Sequence, residues 1–366
     1  MNIDIIKDIL NETVQLKDNL ELFVIANVSN TIQSNENMIV HSDPSEFFTK
    51  AEFAGIISSI TYNFPYVRIF YSETEFMKYF FDNPKINVSN SLVFNFARDG
   101  VSEGKKSLVP AFCSLYSLKY TGSNPFVISL LRNKYVYTKF LESQMISVPR
   151  SMIYLLNNNN DFIFNNGTKI IVKNIYESAS IGMNDENILV FNESEIFNNK
   201  LETICKSLNS KSILIQEYIP GLECEVFVIN YNNEYYAFQP ILIKINGSEI
   251  LTNSISNTYD YSFDLLSNHV NNNVCNEIME ETVSAAKKLG IKDYARFDYR
   301  IFNDNIYLID IAGTPYLTMH SSINYLFTYY LNLKYTDIFL LLVGVCYFNY
   351  SNKVNCKSDN NNALDS

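Results

Sequence analysis

The chain has 366 residues, 47% of them apolar, with 26 Phe and 26 Tyr, a composition that supports two or three domains with substantial cores and excludes a disordered or fibrous class. Its formal net charge of −11 argues against a nucleic-acid partner, whose backbone needs a basic face. Six cysteines, at 113, 205, 224, 275, 346 and 356, show neither CxxC nor metal spacing, and the three histidines, at 41, 269 and 320, argue against zinc; free thiols in a reducing cytoplasm are the expectation.

The N-terminal stretch MNIDIIKDILNETVQLKDNLEL is amphipathic and partly acidic and has no signal-peptide core, so residues 1–20 are predicted to be a helix. Residues 22–28, LFVIANV, read as a buried strand. A helix is predicted over 45–62, capped by Asp43 or Ser45. A strand over 67–71, a helix over 73–81 and a strand over 91–96, SLVFNF, follow. Strands alternating with helices imply a parallel α/β layer. A polar loop, ARDGVSEGKKS, leads to the helix VPAFCSLYSL and then to YTGSNP, where Asn124 suits an N-cap and Pro125 the first helical position. That helix is expected to run to about Glu142, burying Phe126, Leu130, Leu131 and Leu141. Lys134 and Lys139 lie on it, and lysines so placed are more often solvated than not.

Strands are predicted over 152–155 and 169–172. The second ends in Lys173 and is followed by the small-residue loop 174–182, NIYESASIG. A strand-end ammonium beside such a loop can close over phosphates. A strand over 212–218 is interrupted by Pro220-Gly221; 223–229 and 235–245 read as an antiparallel pair; 249–276 reads as a long polar loop; and a helix over 276–290 ends on a glycine cap. The stretch 294–322, YARFDYRIFNDNIYLIDIAGTPYLTMHSS, reads as a hairpin, with strands 295–301 and 306–311 around the turn 302–305. Asp298 and Asp310 on one face of such a hairpin converge, and two hard oxygen donors suit Mg2+. Arg296, two residues before Asp298, shares that face, which points to a metal–phosphate site; an exposed hairpin with solvated charges is the competing reading. The apolar run 338–348 is too short to span a bilayer and fits a buried helix, so no membrane partner is expected. Residues 349–366 are polar and expected to be disordered.

Six segments in order, VFNFARDG…LVPAF, KYTGSNP, LLRNKYVYTKFL, KIIVKN…SASIGM, ILIQEYIPGLECEV and ARFDYR…YLIDIAGTPYLTMHSS, together resemble the D-alanine–D-alanine ligase branch of the ATP-grasp family. The resemblance implies an α/β (α+β ATP-grasp) fold: an N-terminal parallel α/β domain over 1–123, a central ATP-grasp subdomain with the phosphate loop over 124–217, a C-terminal ATP-grasp subdomain with the metal and substrate site over 218–348, and the tail 349–366. It implies ATP and Mg2+ as cofactors. Lys134 and Lys173 would contact phosphates, and Ser178, Ser180 and Gly182 would belong to a flexible phosphate-covering loop. Gln216, Glu217, Tyr218 and Ile219 would form the hinge that holds adenine through backbone groups, and Glu223 would bind the ribose. Asp298 and Asp310 would hold Mg2+. Arg296 would steady the transferring phosphoryl group, with His320 and Ser321 at the substrate end. The implied activity is an ADP-forming carboxylate–amine ligase working through an acyl phosphate on amino acids or peptides, in the cytoplasm, with a homodimer as the implied assembly.

The sequence departs from the family pattern at several points. Asp310-Ile311-Ala312 stands where the family has Glu-x-Asn, and alanine ligates nothing. Ala179 replaces the first of two serines. No Lys or Arg occurs between Ile245 and Ala286, where the family often carries a phosphate-reaching lysine. Pro315-Tyr316 replaces Pro-Gly and fills substrate space. The N-terminal glycine, Ser and Glu pattern that binds a first D-alanine is absent; Asn27-Val28-Ser29-Asn30 lies near its place, with Glu46 or Glu52 as substitutes. The expected substrates are therefore not two D-alanines. The other reading is a degenerate ATP-grasp protein that binds a nucleotide or small ligand without ligase activity.

Overall fold

The structure, a computed structural model, describes residues 2–29, 42, 44–177 and 181–362. The first layer runs α1 (Asn2–Leu16), β1 (Glu21–Ala26), α2 (Lys50–Asn63), β2 (Tyr66–Phe70), α3 (Glu73–Asp82), β3 (Ser91–Phe96), α4 (Leu108–Leu115) and β4 (Lys119–Tyr120). Its strands pair in the order β2-β1-β3-β4, all parallel. The central strands are buried on both faces, which is why they read as unbroken apolar runs. Ser45 does not cap α2, and Asp43 lies outside the described residues. Pro44–Glu46 forms a separate 3-10 turn, and Thr49 caps the helix, accepting from Glu52 N while the Glu52 carboxylate accepts from Thr49 N.

The single helix expected after Pro125 is two, α5 (Pro125–Arg132) and α6 (Lys134–Ser143). Asn133 between them is extended, and its side chain accepts from Val136 N to cap the second. Phe126, in the first turn of α5, faces outward and is 71% exposed, and Leu130 is only partly buried, whereas Leu131 and Leu141 are buried as expected. A four-stranded antiparallel sheet in the order β5-β8-β6-β7 follows, built from β5 (Ser151–Leu155), β6 (Lys169–Lys173), β7 (Ile188–Val190), α7 (Glu195–Ser207) and β8 (Ser212–Glu217).

The third sheet contains β9 (Leu222–Tyr231), β10 (Glu234–Ala237), β11 (Ile241–Ile245), α8 (Asn253–Thr258), β12 (Tyr261–Leu265), α9 (Asn272–Leu289), β13 (Tyr294–Phe302) and β14 (Asn305–Ala312). Its order is β12-β11-β9-β13-β14, with β10 on the end of β9. The strand expected over 235–245 is divided before Pro240, which has no N–H for a ladder. The region expected to be a long loop contains α8 and the edge strand β12, paired to β11 from Tyr261 to Leu265. Gly221, at the start of β9, has φ +99°, and a Cβ there would stand 2.1 Å from the Ile301 carbonyl oxygen, so only glycine lets β9 approach β13 so closely.

The chain closes with α10 (Ser322–Tyr325), a π-helical turn over 326–330 and α11 (Tyr335–Asn362). The expected tail does not begin at 349, because the helix continues through it. Asn349 is buried and donates to Asn230 O at 2.8 Å and Asp293 Oδ1 at 3.0 Å. The buried stretch of α11 packs with α1, α2, β1 and β3 of the first layer, and α5 and α6 share a core with α9 and β13. Among the described residues no single helix is long and apolar enough to cross a membrane.

Where α11 crosses α1, a Cβ on Gly344 would lie 2.0 Å from Thr13 Oγ1 and 2.9 Å from Ile9 Cγ2. Gly344→Ala is therefore expected to lower unfolding stability by roughly 1–3 kcal/mol. Thr13→Ala in the same chain should restore most of the loss, because it removes the clashing oxygen. Urea unfolding midpoints of the two variants check this; an unchanged midpoint for Gly344→Ala would contradict the close crossing.

Candidate active site

Strand register creates the site. Asp298 on β13 lies opposite Glu225 on β9 and opposite Asp310 on β14, so three carboxylates stand abreast across three adjacent strands. Residues two apart on a strand share a face, which adds Glu223, Arg296 and Arg300. Arg296 grips Asp298 through Nε–Oδ1 and Nη2–Oδ2, both at 2.8 Å, and reaches Glu225 Oε1 with Nη1 at 3.0 Å. The other Glu225 oxygen accepts from Ser322 Oγ. Lys134, the first residue of α6, places Nζ 2.6 Å from both oxygens of Asp310, and Tyr137, one turn on, donates to Oδ1 at 2.7 Å. Lys173 Nζ donates to Gln216 Oε1 at 2.9 Å. Arg300 donates to Glu223 Oε2 from Nε and Nη2, to the Tyr218 hydroxyl and Ile219 O from Nη1, and to Glu249 O from Nη2.

These partners set the charges. Burial pushes the Glu225 and Asp298 carboxyls above the ordinary range, although Arg296 opposes it, because one guanidinium serves both. Asp310 is partly exposed, and Lys134 and Lys173 outweigh its desolvation and hold it well below the ordinary range. Burial draws the Lys173 ammonium down to about 8, with Asp310 pulling the other way. Among the described residues no three His, Cys, Asp or Glu side chains converge to hold a metal. Asp298 and Asp310 remain a facing pair of hard oxygen donors, and Ala312 offers none.

A cavity of about 320 Å3 opens over this cluster at the junction of the sheets. Every predicted site residue within the described part lines it except Gly182, which lies between two lining residues; Ser178 and Ser180 lie outside the described residues. Gly182 has φ +73°, and a Cβ there would stand 2.4 Å from Leu208 Cδ2. One end is apolar, walled by Ile171, Tyr218, Ile250 and Met183. Beside it the hinge is partly committed: Glu217 N donates to Arg150 O, Tyr218 N to Lys169 O, and Ile219 O accepts from Arg300. At the other end, His320 is ringed by Tyr259, Tyr261 and Phe263 at 4.7, 4.8 and 5.3 Å between centroids. Its Nε2 is buried without a hydrogen-bond partner, and burial lowers its pKa. Ser321 caps α10, its Oγ accepting from Asn324 N at 3.2 Å and donating to Thr318 O at 2.7 Å. Lys139 sits away from the cavity, paired with Glu142 at 2.8 Å.

Neither substitute acid is free to meet a substrate unaided. Glu46 is fully buried, with Lys105 at 2.9 Å, Lys106 at 3.6 Å and Arg132 at 3.7 Å; burial would raise its pKa, but these cations hold it well below the carboxylate range. Glu52 lines the cavity, accepting from the Tyr259 hydroxyl and from Thr49. Tyr316 turns toward the first layer, its hydroxyl donating to Glu46 O at 2.6 Å and its ring packed against Phe48. Four residues escaped the sequence reading. Glu225 and Arg300 follow Glu223 and Asp298 by two positions on the same strand faces, and Tyr137 follows Lys134 by one helical turn, so spacing carried a signal for these three. Arg98, which also lines the cavity, carried none, because only the fold brings β3 to this place.

The family described as D-ala D-ala ligase C-terminus matches residues 155–342. A D-alanine–D-alanine ligase of Marinomonas sp. (strain MWYL1) is 25% identical over 230 residues, covering 60% of this chain and 67% of that relative. One of Pelagibacter ubique (strain HTCC1062) is 24% identical over 226 residues, covering 59% and 68%. Among solved structures, the D-alanine–D-alanine ligase of Bacillus anthracis complexed with ATP aligns with a TM-score of 0.66 at 15% identity, covering 91% of this chain and 99% of that one. That of Coxiella burnetii aligns with 0.63 at 13%, covering 95% and 100%. At these identities the structural matches establish the fold.

Lys173 has a neutral partner, and burial, joined by the charges of Lys134 and Arg300, lowers its pKa; an acid in the place of Gln216 should oppose this. In Gln216→Glu the Lys173 ammonium is expected to titrate well above the value of about 8 set in the native protein. NMR titration of 13C-lysine-labelled protein, with the signal assigned by Lys173→Arg, measures it; an unmoved midpoint would mean that the two side chains are not in contact.

Proposed function

The chain belongs to the D-alanine–D-alanine ligase C-terminal family of the ATP-grasp fold, and from that premise we propose that it is an ATP-dependent carboxylate–amine ligase, releasing ADP and acting through an acyl phosphate on amino acid or peptide substrates other than two D-alanines. The observation that carries this reading is the convergence of Lys134, Lys173 and Arg296 on Asp298 and Asp310 in one cavity whose far end is an apolar slot beside the hinge. In this reading 1–123 contributes to substrate binding, while 124–217 and 218–348 grasp the nucleotide. A cytoplasmic homodimer completes the proposal on family resemblance.

The adenine would lie between Ile171, Ile250, Met183 and Tyr218. Ile219 N–H, engaged by no backbone carbonyl among the described residues, would be its hinge donor. Arg300 occupies only Oε2 of Glu223, which leaves Oε1 for a ribose hydroxyl. Lys134 and Lys173 supply positive charge for the phosphates, under the loop that contains Ser178, Ser180 and Gly182. Two facing carboxylates fit an ion that takes one or two protein carboxylates and completes its shell with phosphate oxygens and water. Asp298 and Asp310 would hold that Mg2+, which when bound neutralises charge on the phosphate oxygens. The substrate carboxylate attacks the γ-phosphorus, the bond to the ADP oxygen breaks, and Arg296 offsets the charge in transit. An amine then attacks the acyl carbon, phosphate leaves and the amine gives up a proton. His320 and Ser321 lie on the substrate side.

One observation favours the non-enzymatic reading: both aspartates are already neutralised within the protein, and Ala312 adds no ligand. Mg-ATP calorimetry combined with phosphate release over an amino-acid and amine screen separates the two. Turnover supports the ligase, and tight nucleotide binding without turnover supports a binding protein.

Lys173→Ala is expected to weaken ATP binding by roughly 1.5–3 kcal/mol with the fold intact. Phosphate binding requires the charged ammonium, which in the free protein titrates at about 8. ATP affinity should therefore be full below that pH and fall as pH rises through it, and Lys173→Arg should flatten the profile. Fluorescent-nucleotide titrations from neutral to alkaline pH measure this; equal affinity in the alanine variant would remove Lys173 from the site.

With D-alanine as sole amino acid, kcat/KM is expected to be at least about tenfold below that with the preferred pair, because the N-terminal acid that would hold the first ammonium is missing. Competition between D-alanine and other amino acids for ATP turnover tests it, and D-alanyl-D-alanine as the preferred product would refute it.

A further inference from the structure

We propose that the carboxylate substrate bears a second anionic group, a second carboxylate, and that Arg98 receives it; the inference rests on the ligase reading above and names the class of acid the ligase activates. Arg98 follows the end of β3, and its side chain is only 1% exposed yet lines the cavity. Among the described residues it has no ion pair. Its Nε has no hydrogen-bond partner, and its one hydrogen bond from the guanidinium is a long one, Nη2 to Thr314 O at 3.4 Å. A buried guanidinium cannot shed its proton, and leaving it unmatched is costly.

Arg300 is the internal control. It is equally buried, and it makes five hydrogen bonds, to Glu223 twice, Tyr218, Ile219 and Glu249. That is how a structural arginine looks in this fold, and Arg98 differs from it in the direction a ligand would correct. Its position is fixed rather than adaptable: the guanidinium carbon lies 3.9 Å from the Tyr316 ring centroid and 4.6 Å from that of Phe48, and the Tyr316 hydroxyl is tied to Glu46 O. Two rings clamp the guanidinium while its N–H edge stays available, an arrangement suited to a planar carboxylate. Lys106 and Arg132 line the same wall, and Glu46, which pairs with both, stands behind it. Arg98 and Arg132 on that wall repel an ammonium, while burial pushes the Lys106 ammonium down. The loop that presents Tyr316 leaves β14 directly after Ala312, so this anion site opens on the space that holds Asp310 and Arg296.

The test uses hydroxylamine to trap the acyl phosphate, which removes any need to know the natural amine. The acid oxygen attacks the γ-phosphorus of ATP and ADP leaves; the hydroxylamine nitrogen attacks the acyl carbon, phosphate leaves, and the nitrogen loses a proton to give a hydroxamate. Dicarboxylates are compared with their monoamides: glutamate with glutamine, aspartate with asparagine, and glutarate with glutaramate. For at least one pair the diacid should show a KM lower by about tenfold or more, the effect of one charge-assisted contact. Arg98→Gln should collapse that ratio toward one, and Arg98→Lys should retain part of it. Calorimetry of the same acids with the ADP-bound protein gives a readout independent of chemistry, and the wild-type protein alone tests the inference even where a variant does not fold. Equal KM within every pair, a ratio that survives Arg98→Gln, or no diacid binding in calorimetry overturns it. Hydroxamate formed equally from acids and amides leaves the ligase standing without this inference. Diacid binding lost in Arg98→Gln, with no hydroxamate from any acid, leaves the anion site standing and overturns the ligase.

Discussion

Arg296 shared between Glu225 and Asp298 is the interaction on which the rest of the site depends. Adjacent strands lie just under about 5 Å apart, so the register of β9, β13 and β14 forces three carboxylates side by side, Glu225 and Asp298 buried and Asp310 partly exposed. One guanidinium compensates two of them, and Lys134 with Tyr137 compensates the third. Without these cations the three strands would bury like charges in contact, an arrangement that costs far more than surface repulsion. The same compensation fixes α6, because its first turn must deliver both Lys134 and Tyr137 to Asp310. The break at Asn133 makes that possible, since a continuous helix from Pro125 would carry Lys134 in a different direction.

The cavity exists because three sheets meet at this charge cluster, and a few long side chains stitch them together. Arg300 joins β13 to the hinge and to the segment after β11 through Tyr218, Ile219 and Glu249. Lys105 joins the first layer to the base of the 174–182 loop through Glu177 at 2.8 Å, and the Tyr176 hydroxyl donates to Glu103 at 2.7 Å. The first layer is further held by α11, whose apolar stretch lies against α1, α2 and the parallel sheet. A cavity at such a junction is shaped by contacts from all parts of the chain, so its lining residues are far apart in sequence.

The departures from the family pattern are spread along the chain, at the N-terminal segment, Ala179, Ala312 and Tyr316. The hinge, Glu223, Lys173 and the aspartate pair occupy one continuous surface. Tyr316, by contrast, changes the first layer's contribution, since it leans across to Glu46 and pins Arg98. The absent N-terminal acid is not replaced by Glu46, which is committed to Lys105, Lys106 and Arg132.

Local chemistry determined much of this protein from its sequence. Apolar runs placed β1 and β3, alternation placed β13 and β14, the Asn124-Pro125 pair began α5, and Gly290 ended α9, because caps, turns and apolar pattern act over a few residues. Spacing of two along β13 put Arg296 and Asp298 on one face before any fold was known. Tertiary structure decided the rest. The register that sets Glu225 beside Asp298 depends on β9, some seventy residues away. β12 alternates as YSFDL, but five residues inside a polar stretch are too short a signal, and only pairing with β11 makes them an edge strand. The helix past Asn349 is set by a buried amide reaching Asn230 and Asp293. Arg98 looks like any loop arginine until the parallel layer buries it between Phe48 and Tyr316, since burial and missing partners belong to the packed state and have no signature along the chain.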